Sequence, residues 1–240
     1  MSLPTALRTA AACVLLFVAG VAPAAEATYA LDSVHTRVMF AVGHAGFSDP
    51  MFTIAGTTGT LVFDPGDWST ARVEARIPVA GLELGDGRWR NAILGRNFFD
   101  AARYPEIRFV STRVEPVDAT HARVFGQLTL REVTREVQLD VVVHQVRRHP
   151  LPPFRRTAGF SATGTLRRGE FGMTAWQNVV GDTVEIRIEA EGTRSRGGDA
   201  ASEPEPPMPV PASTIAPPPA GSIVLPEASS VPESEPATPP

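Results

Sequence analysis

The sequence predicts an all-β protein: an eight-stranded antiparallel barrel with one short helix and a disordered C-terminal tail. Apolar and polar residues alternate with period two in segment after segment, the connections between these segments are mostly short, and only one segment has a helical pattern. The scarcity of helices argues against a parallel α/β sheet. A sandwich and a closed barrel would both hide the apolar faces, and an even strand number favours the barrel because its first and last strands can pair.

The first zone of the chain, residues 1–27, has the composition of a signal peptide. Arg8 precedes an apolar run over residues 10–22, and two A-x-A sequences follow, at 22–24 and 25–27. The run is shorter than the roughly 20 residues that cross a bilayer. We therefore expect export to the periplasm, and a protein that is not integral to the membrane.

The rest of the chain changes composition at about residue 197. Residues 28–196 contain all the alternating segments and form the predicted barrel domain. Residues 197–240 are rich in Pro, Ala, Ser and Glu and have no aromatic residue, so they cannot bury enough apolar surface to fold. We expect this last zone to be a disordered tail.

The predicted strands follow the alternation along the body. Between residues 184 and 191, for example, four apolar residues alternate with four polar or charged positions that carry three Glu and one Arg. A strand of this kind has one buried and one solvated face. The eight predicted strands span residues 29–44, 52–64, 71–80, 106–116, 120–131, 135–147, 157–168 and 182–192.

One connection in the body is long. It extends from Gly81 to Pro105 and includes residues 88–94, whose pattern predicts a short helix that ends near Gly95. The other connections have the length of hairpin turns.

The inward faces of the predicted strands combine large apolar residues with several small ones. An eight-stranded barrel is either filled by its own side chains or holds one small ligand. Small inward residues leave volume that a packed interior would not leave empty, unless large neighbours on facing strands fill it, and the pattern alone leaves both readings open. A ligand in such an interior would be hydrocarbon, because the wall has few charges. The small inward residues are Ala75, Ala122, Gly126, Ala158, Ala162, Gly164 and Ala190.

Several motifs in the body, in this order along the chain, resemble the YceI-like lipid-binding family. Each motif is short, and it is their order that makes the resemblance specific. It extends from about Tyr29 to Thr193. The motifs lie at residues 31–44, 97–100 with 104–111, 126–130 with 133–134, 170–173 and 180–182.

The resemblance implies an exported, lipocalin-like barrel that holds a long isoprenoid or amphiphilic lipid and has no catalytic activity. By their positions in the motifs, aromatic residues such as Phe98, Phe99 and Phe171 would face or cap the cavity, and Trp176 is a further candidate. Taken with the strand pattern, the predicted ligand-binding residues are Val38, Phe40, Val42, Phe98, Phe99, Phe109, Leu128, Phe160, Ala162, Phe171, Met173, Trp176 and Ile186.

The chain departs from the family pattern at three positions. Asn91 and Ile93 stand where the family often has Asp and His, and Glu132 stands where it usually has Gly. The first two changes remove polar groups that could meet a lipid head group. The identity of the head group is therefore left open.

The predicted function is to bind a polyisoprenoid, an isoprenoid quinone or a related amphiphilic lipid inside the barrel, for transport or storage. One alternative is a structural or interaction module of the cell envelope that acts through its Pro-rich tail. Another is a hydrolase that uses Ser111 or Ser161, although no catalytic motif supports it. The oligomeric state is open, with a dimer as one option.

Other classes of site have little support in the sequence. The only cysteine, Cys13, lies in the predicted signal peptide. His35 and His44 are nine residues apart on one predicted strand and so point to opposite faces. We therefore expect no metal site and no cofactor, and we see no basic patch that would favour nucleic acid.

Overall fold

Eleven β-strands and one α-helix build the part of the chain that the structure, a computed structural model, describes, residues 26–195. The predicted tail and nearly all of the predicted signal peptide lie outside these residues. The strands are β1 (Ala27–Leu31), β2 (Arg37–His44), β3 (Met51–Ile54), β4 (Thr58–Phe63), β5 (Arg72–Pro78), β6 (Leu82–Glu83), β7 (Glu106–Pro116), β8 (His121–Leu130), β9 (Val133–Arg148), β10 (Arg156–Arg167) and β11 (Val180–Arg194). The helix, α1, spans Gly87–Leu94.

The strands form a closed antiparallel barrel with eight strand positions, which we call staves. At three of these positions, two short strands lie end to end in place of one long strand. β1 and β2 both pair with β11, one beyond the other, and so make one stave. β3 pairs with β2 while β4 pairs with β1, which makes the second stave. β5 and β6 form the third in the same way, and β7 to β11 are the other five.

Closure of the barrel comes from β1 and β11. Tyr29 pairs with Arg194 of β11, and on its other side β1 pairs with β4, from which the pairing continues through β5, β7, β8, β9 and β10 to β11. The predicted eight-stranded barrel is confirmed, and the pairing leaves no free edge between the first and last staves.

Local chemistry explains where the staves break. After β1, the Asp32 carboxylate accepts hydrogen bonds from the backbone N–H groups of Val34 and His35, which turns the chain before β2. Gly56, between β3 and β4, has a φ of 80°, which glycine adopts at little cost. The predicted uninterrupted strands over residues 29–44 and 52–64 are therefore corrected to pairs of shorter strands. The strand predicted over residues 71–80 ends at Pro78, and β6 follows outside that range.

The helix α1 lies where residues 88–94 predict it. Its N-cap is Asp86, whose carboxylate accepts from the N–H groups of Arg88 and Trp89, and its C-cap is Gly95. The guanidinium of Arg90 donates to the carbonyl oxygens of Leu82 and Ala80, so the helix is attached to the strand that precedes it. This contact positions α1 at one end of the barrel.

Two ends of the barrel can be distinguished by their connections. The helix end, as we call it, has the β2–β3 and β8–β9 turns, α1 and the β10–β11 loop. The terminal end has the β4–β5, β7–β8 and β9–β10 turns, with the start of β1 and the end of β11. β1 starts at Ala27, so the barrel includes the last residue of the predicted signal peptide.

A hollow apolar barrel interior

The barrel encloses a cavity of about 420 Å³, within the range of small-molecule sites. Every strand except β6 contributes inward side chains to its wall, and these side chains are almost all apolar. The alternating pattern of the sequence is the cause, because each strand directs every second residue to the same side.

The inward residues show that the interior is hollow. On β11, Val184, Ile186 and Ile188 line the cavity, and each is only half-buried although its side chain points away from bulk solvent. In a close-packed core, branched aliphatic side chains of this kind are usually fully buried. Their remaining accessible surface faces the cavity.

The cavity is long and narrow. Its wall on β11 extends from Val180 to Ala190, which is about 33 Å of strand at about 3.3 Å per residue. With a strand tilt of roughly 40°, this corresponds to about 25 Å along the barrel axis. Such a shape fits a chain molecule better than a compact one.

Aromatic clusters narrow the cavity at both ends. At the terminal end, the Phe63 ring lies 5.6 Å from the rings of both Trp68 and Phe160, in edge-to-face contacts. At the helix end, the ring of Phe40 lies 5.1 Å from that of Phe52 and 6.0 Å from that of Phe99.

The wall reaches the protein surface at α1. Trp89 and Ala92 both line the cavity and are exposed, and the ring of Trp89 lies 5.6 Å from that of His44. Few other wall residues are exposed; Arg72, near the terminal end, forms an ion pair with Glu26. The gap between α1 and the β2–β3 turn is therefore the candidate entrance.

A buried arginine is the main charge on the wall. Arg168 is 4% exposed, and its guanidinium donates to the backbone carbonyls of Met173, Ala175, Val180 and Gly181. Burial lowers the pKa of this guanidinium. Its hydrogen bonds hold the β10–β11 loop beside the cavity at the helix end.

Thr57 provides an unpaired polar atom in the wall. It is 2% exposed, lines the cavity, and its hydroxyl makes no hydrogen bond with any residue of 26–195. A buried hydroxyl without a partner is unfavourable, and a polar group on a cavity ligand could hydrogen-bond to it. The alternating strand pattern could not identify this residue, because it lies in the break between β3 and β4.

The small inward residues have two different roles. Ala75, Ala122, Ala162 and Ala190 lie on the cavity wall and leave room. At Gly126, however, a Cβ atom would lie 2.4 Å from Cζ of Phe109, so this glycine makes space for a neighbouring ring. Gly164 does the same for Leu139, and Ala158 packs in the core cluster of the terminal end. Both readings that the sequence left open therefore apply, each to a different subset of the seven small residues.

The structure places all the predicted ligand-binding residues except Trp176 on the cavity wall, and their contact with a ligand stays a prediction. Trp176 is 62% exposed, and its carbonyl accepts from the N–H groups of Val179 and Val180 in a surface turn. Phe171 and Met173, earlier in the same loop, occupy the buried positions beneath it. The wall residues are Val38, Phe40, Val42, Phe98, Phe99, Phe109, Leu128, Phe160, Ala162, Phe171, Met173 and Ile186.

The two serines considered for a hydrolase lie apart from the cavity wall. The Ser111 hydroxyl accepts from the backbone N–H of Val73. The Ser161 hydroxyl donates to the Glu189 carboxylate and contacts Nε2 of His144, which is exposed. A serine nucleophile needs a base that takes its proton, and here that proton is directed at Glu189 and away from the imidazole.

Within residues 26–195, no helix has both the length and the apolar composition to cross a bilayer. The same residues contain no group of three or more His, Cys, Asp or Glu side chains arranged to hold a metal ion.

Comparison with known proteins agrees with the barrel. Residues 29–192 match the model of the YceI-like domain. The chain belongs to the YceI-like family. Among YceI-like relatives, the UPF0312 protein of Pseudomonas savastanoi pv. phaseolicola is 29% identical over 181 residues, which cover 75% of this chain and 93% of the relative. The UPF0312 protein of Pectobacterium atrosepticum is 28% identical over 182 residues, with 76% and 93% covered.

Solved structures share the YceI-like fold at low sequence identity. BcnA of Burkholderia cenocepacia superposes with a TM-score of 0.61 at 23% identity, over 68% of this chain and 99% of that protein. A YceI protein of Campylobacter jejuni gives 0.55 at 21% identity, over 60% and 84%. A polyisoprenoid-binding domain from Saccharophagus degradans, described as implicated in plant cell wall breakdown, gives 0.52 at 13% identity, over 70% and 98%.

Proposed function

We propose that this protein binds one long apolar molecule inside its barrel and carries or stores it. The observation that supports the proposal most directly is the elongated interior of about 420 Å³ with an apolar wall. The ligand class is a polyisoprenoid, an isoprenoid quinone or a related amphiphilic lipid. The solved Saccharophagus degradans domain, named for polyisoprenoid binding, has the same fold and supports this choice.

The energetics of such a wall favour a long ligand over a short one. Each methylene-sized group that leaves water contributes about 0.8 kcal/mol, and binding has to offset roughly 4–15 kcal/mol of lost freedom. Only a ligand with many such groups exceeds this cost without strong polar contacts. Because hydrocarbon burial is not directional, we expect chain length to matter more for affinity than fine structure.

We further propose that the protein works after export to the periplasm. The support is the composition of residues 1–27. Ala27 already belongs to β1, where it pairs with Phe63, so cleavage after Ala24 would leave the barrel intact and cleavage after Ala27 would shorten it. N-terminal sequencing of the protein from its native compartment tests this, and an uncleaved chain in the cytoplasm would contradict it.

The primary test of the proposal is to identify what the protein carries. Native mass spectrometry of protein from its source compartment, before and after organic extraction, should show the loss of a lipid-sized mass. The extract should contain an isoprenoid or another long apolar lipid. An unchanged mass over several preparations would argue against a carrier.

Ala162→Trp should block the cavity. Ala162 is buried on the wall at β10, so an indole at this position would occupy the space of the ligand. We expect A162W to lose at least about tenfold in affinity, since the displaced hydrocarbon would be worth more than the 1.4 kcal/mol that corresponds to that factor. A fluorescent long-chain lipid added to extracted protein measures the change.

The neighbouring position provides the control. Thr163 is exposed on the outer face of the same strand, so T163W adds the same side chain outside the cavity. If A162W fails to fold, Ala190→Trp fills the wall from β11 in its place. Normal loading by either folded wall variant would show that the ligand binds elsewhere.

A further inference from the structure

The hairpin that connects β9 and β10, at the terminal end, combines four arginines with an apolar tip. Arg147 and Arg148 end β9, Arg155 and Arg156 begin the return, and the tip between them contains only His149 and apolar or proline residues. In the sequence the arginines form two separate pairs. Antiparallel pairing brings the two pairs side by side.

These arginines have no counter-charges among the described residues. All four are exposed, and none of their guanidinium groups forms an ion pair or a hydrogen bond with a residue of 26–195. Several other arginines on the outer wall differ in this respect. Arg76 and Arg108 pair with Glu74, and Arg113 pairs with Glu115.

The strand register places like charges opposite each other. Arg148 is the cross-strand partner of Arg156, and the pairing of Thr157 with Thr193 continues to place Arg194 of β11 on the other side of Arg156. Like charges directly opposite on neighbouring strands are destabilising. An anionic partner would relieve this repulsion, so the row is better suited to binding an anion than to stabilising the hairpin.

The tip adds exposed apolar side chains to the charges. Leu151 is 63% exposed and Phe154 is 51% exposed. The backbone N–H of Phe154 donates to the Leu151 carbonyl at 2.9 Å, which holds the two residues at the ends of one tight turn. Exposed apolar side chains that are rimmed by charged residues are typical of surfaces that meet a membrane or another protein.

We propose that the β9–β10 hairpin, residues 147–156, docks the protein onto an anionic phospholipid surface. A bilayer offers both chemistries that the hairpin needs: negative head groups for the arginines and an apolar layer beneath them for Leu151 and Phe154. A soluble polyanion would satisfy only the charges. The hairpin lies outside the cavity, so docking at the hairpin and ligand binding in the cavity can be tested independently.

The helix end offers a second set of exposed aromatic side chains, and the test has to separate the two. Phe47 and Trp176 are 90% and 62% exposed. Arg167 and Arg103 at that end pair with Asp182 and Glu132. Arg88 and Arg96, in α1 and just after it, are exposed and form no ion pair with a residue of 26–195, but they are not cross-strand neighbours. The hairpin brings four unpaired arginines together on two adjacent strands and is therefore the better match for an anionic surface.

The experiment is vesicle flotation of the full 240-residue chain. Vesicles of phosphatidylcholine alone are compared with equimolar phosphatidylcholine and phosphatidylglycerol, at low and high salt. The charge variant carries R147Q, R148Q, R155Q and R156Q, and the tip variant carries L151S and F154S. The matched control, with the same change of net charge, carries R76Q, R108Q, R113Q and R123Q. The apolar segment at residues 10–22 is common to all and sets the same background.

We expect the wild type to bind anionic vesicles, with an affinity that falls as the salt concentration rises. The affinity of the charge variant should be more than about tenfold lower, since each arginine near an anionic surface contributes a factor of roughly five. The tip variant should bind more weakly, and the control should bind as the wild type does. Circular dichroism checks that each variant folds. If the charge variant does not fold, the smaller variant with R148Q and R156Q replaces it, and a loss of about 25-fold is expected for its two arginines.

Several outcomes would overturn the proposal. The hairpin is excluded as the docking site if the folded charge variant binds anionic vesicles like the wild type, or if the control variant loses as much affinity as the charge variant does. Loss of binding with F47S and W176S, and not with the hairpin variants, would assign docking to the helix end. Equal binding to soluble polyphosphate, with no effect of the tip variant, would identify a polyanion as the partner.

Discussion

At the scale of single residues, Gly126 controls how much of the barrel is empty. The ring of Phe109 lies where a side chain at position 126 would be, with 2.4 Å between the added Cβ and Cζ of Phe109 and 2.6 Å to the Val110 carbonyl oxygen. The backbone oxygen cannot move without breaking the sheet. The missing side chain therefore allows the large aromatic residue to fold against the wall.

Gly126→Ala should destabilise the barrel by about 1–3 kcal/mol, because overpacking forces side chains and backbone to shift. Urea unfolding measures the change. Gly159→Ala is the control, since no heavy atom lies within 4 Å of a Cβ at that position in β10. Equal midpoints for the two variants would contradict the role assigned to Gly126.

A second residue-scale prediction concerns the ion pair in the turn between β1 and β2. The hydrogen bond that Nδ1 of His35 donates to the Asp32 carboxylate raises the pKa of His35 above its ordinary value. Partial burial opposes ionisation of Asp32, but its hydrogen bonds from His35 and Val34 lower the pKa of this carboxyl on balance. The stabilisation from His35 is present at low pH and lost as pH rises through its raised pKa, whereas that from Asp32 is lost as pH falls through its lowered pKa.

The pair should therefore contribute most between about pH 4 and pH 6.5. Asp32→Asn keeps an acceptor for the turn and removes the charge. We expect the difference in unfolding free energy between wild type and D32N to be larger at pH 5 than at pH 8.5, by less than about 1 kcal/mol because the pair is partly exposed. Thermal melts at both pH values measure it, and a larger difference at the higher pH would contradict the assignment.

At the scale of elements, the N-terminal half of α1 is a lightly held part of the cavity wall. None of the helix residues is fully buried; its last turn packs on the core through Ile93 and Leu94, whereas its start is held by the Asp86 cap and by the hydrogen bonds of Arg90 to the preceding segment. Trp89 and Ala92 make it both wall and surface. Local opening of such an element needs little free energy.

Asp86→Ala should therefore speed ligand exchange, because loss of an N-cap costs about 1 kcal/mol of helix stability. The rate of uptake of a fluorescent polyene lipid, followed by stopped flow, is expected to rise while the final occupancy changes little. Asp67→Ala is the control: Asp67 caps the turn Trp68–Thr70 at the terminal end in the same way. Faster uptake with D67A and not with D86A would move the entrance to the other end.

At the scale of the whole molecule, the barrel is a closed hydrogen-bonded shell around a space that its own side chains do not fill. A shell of this kind can fold without a ligand and gain stability from one. A ligand that binds only the folded state adds about 2.7 kcal/mol at a free concentration one hundred times its Kd.

Extraction of the lipid should therefore lower the melting temperature, and adding it back should restore it. Calorimetry of native, extracted and reloaded protein measures the shift. The blocked A162W variant should melt at one temperature in all three states. An identical melting temperature for native and extracted wild type would mean that the interior is not the binding site.

The sequence by itself determined the class of this protein: the period-two alternation places apolar residues on one face of each strand, and eight such faces must close around an interior. It also predicted α1, because a capping Asp and a terminal Gly are local signals. These features depend on neighbours in the chain.

Only the tertiary structure decided whether the interior is filled, where the cavity wall reaches the surface and which part of the surface carries unpaired charge. Gly126 and Ala162 both have the pattern of small inward residues. The Phe109 ring packs against Gly126, whereas Ala162 lines the cavity, and only the neighbours in space distinguish the two. At the β9–β10 hairpin, strand pairing joins two short runs of arginine that are separate in the sequence. Volume and surface charge depend on residues that are distant in the chain and adjacent in space, so periodicity cannot reveal them.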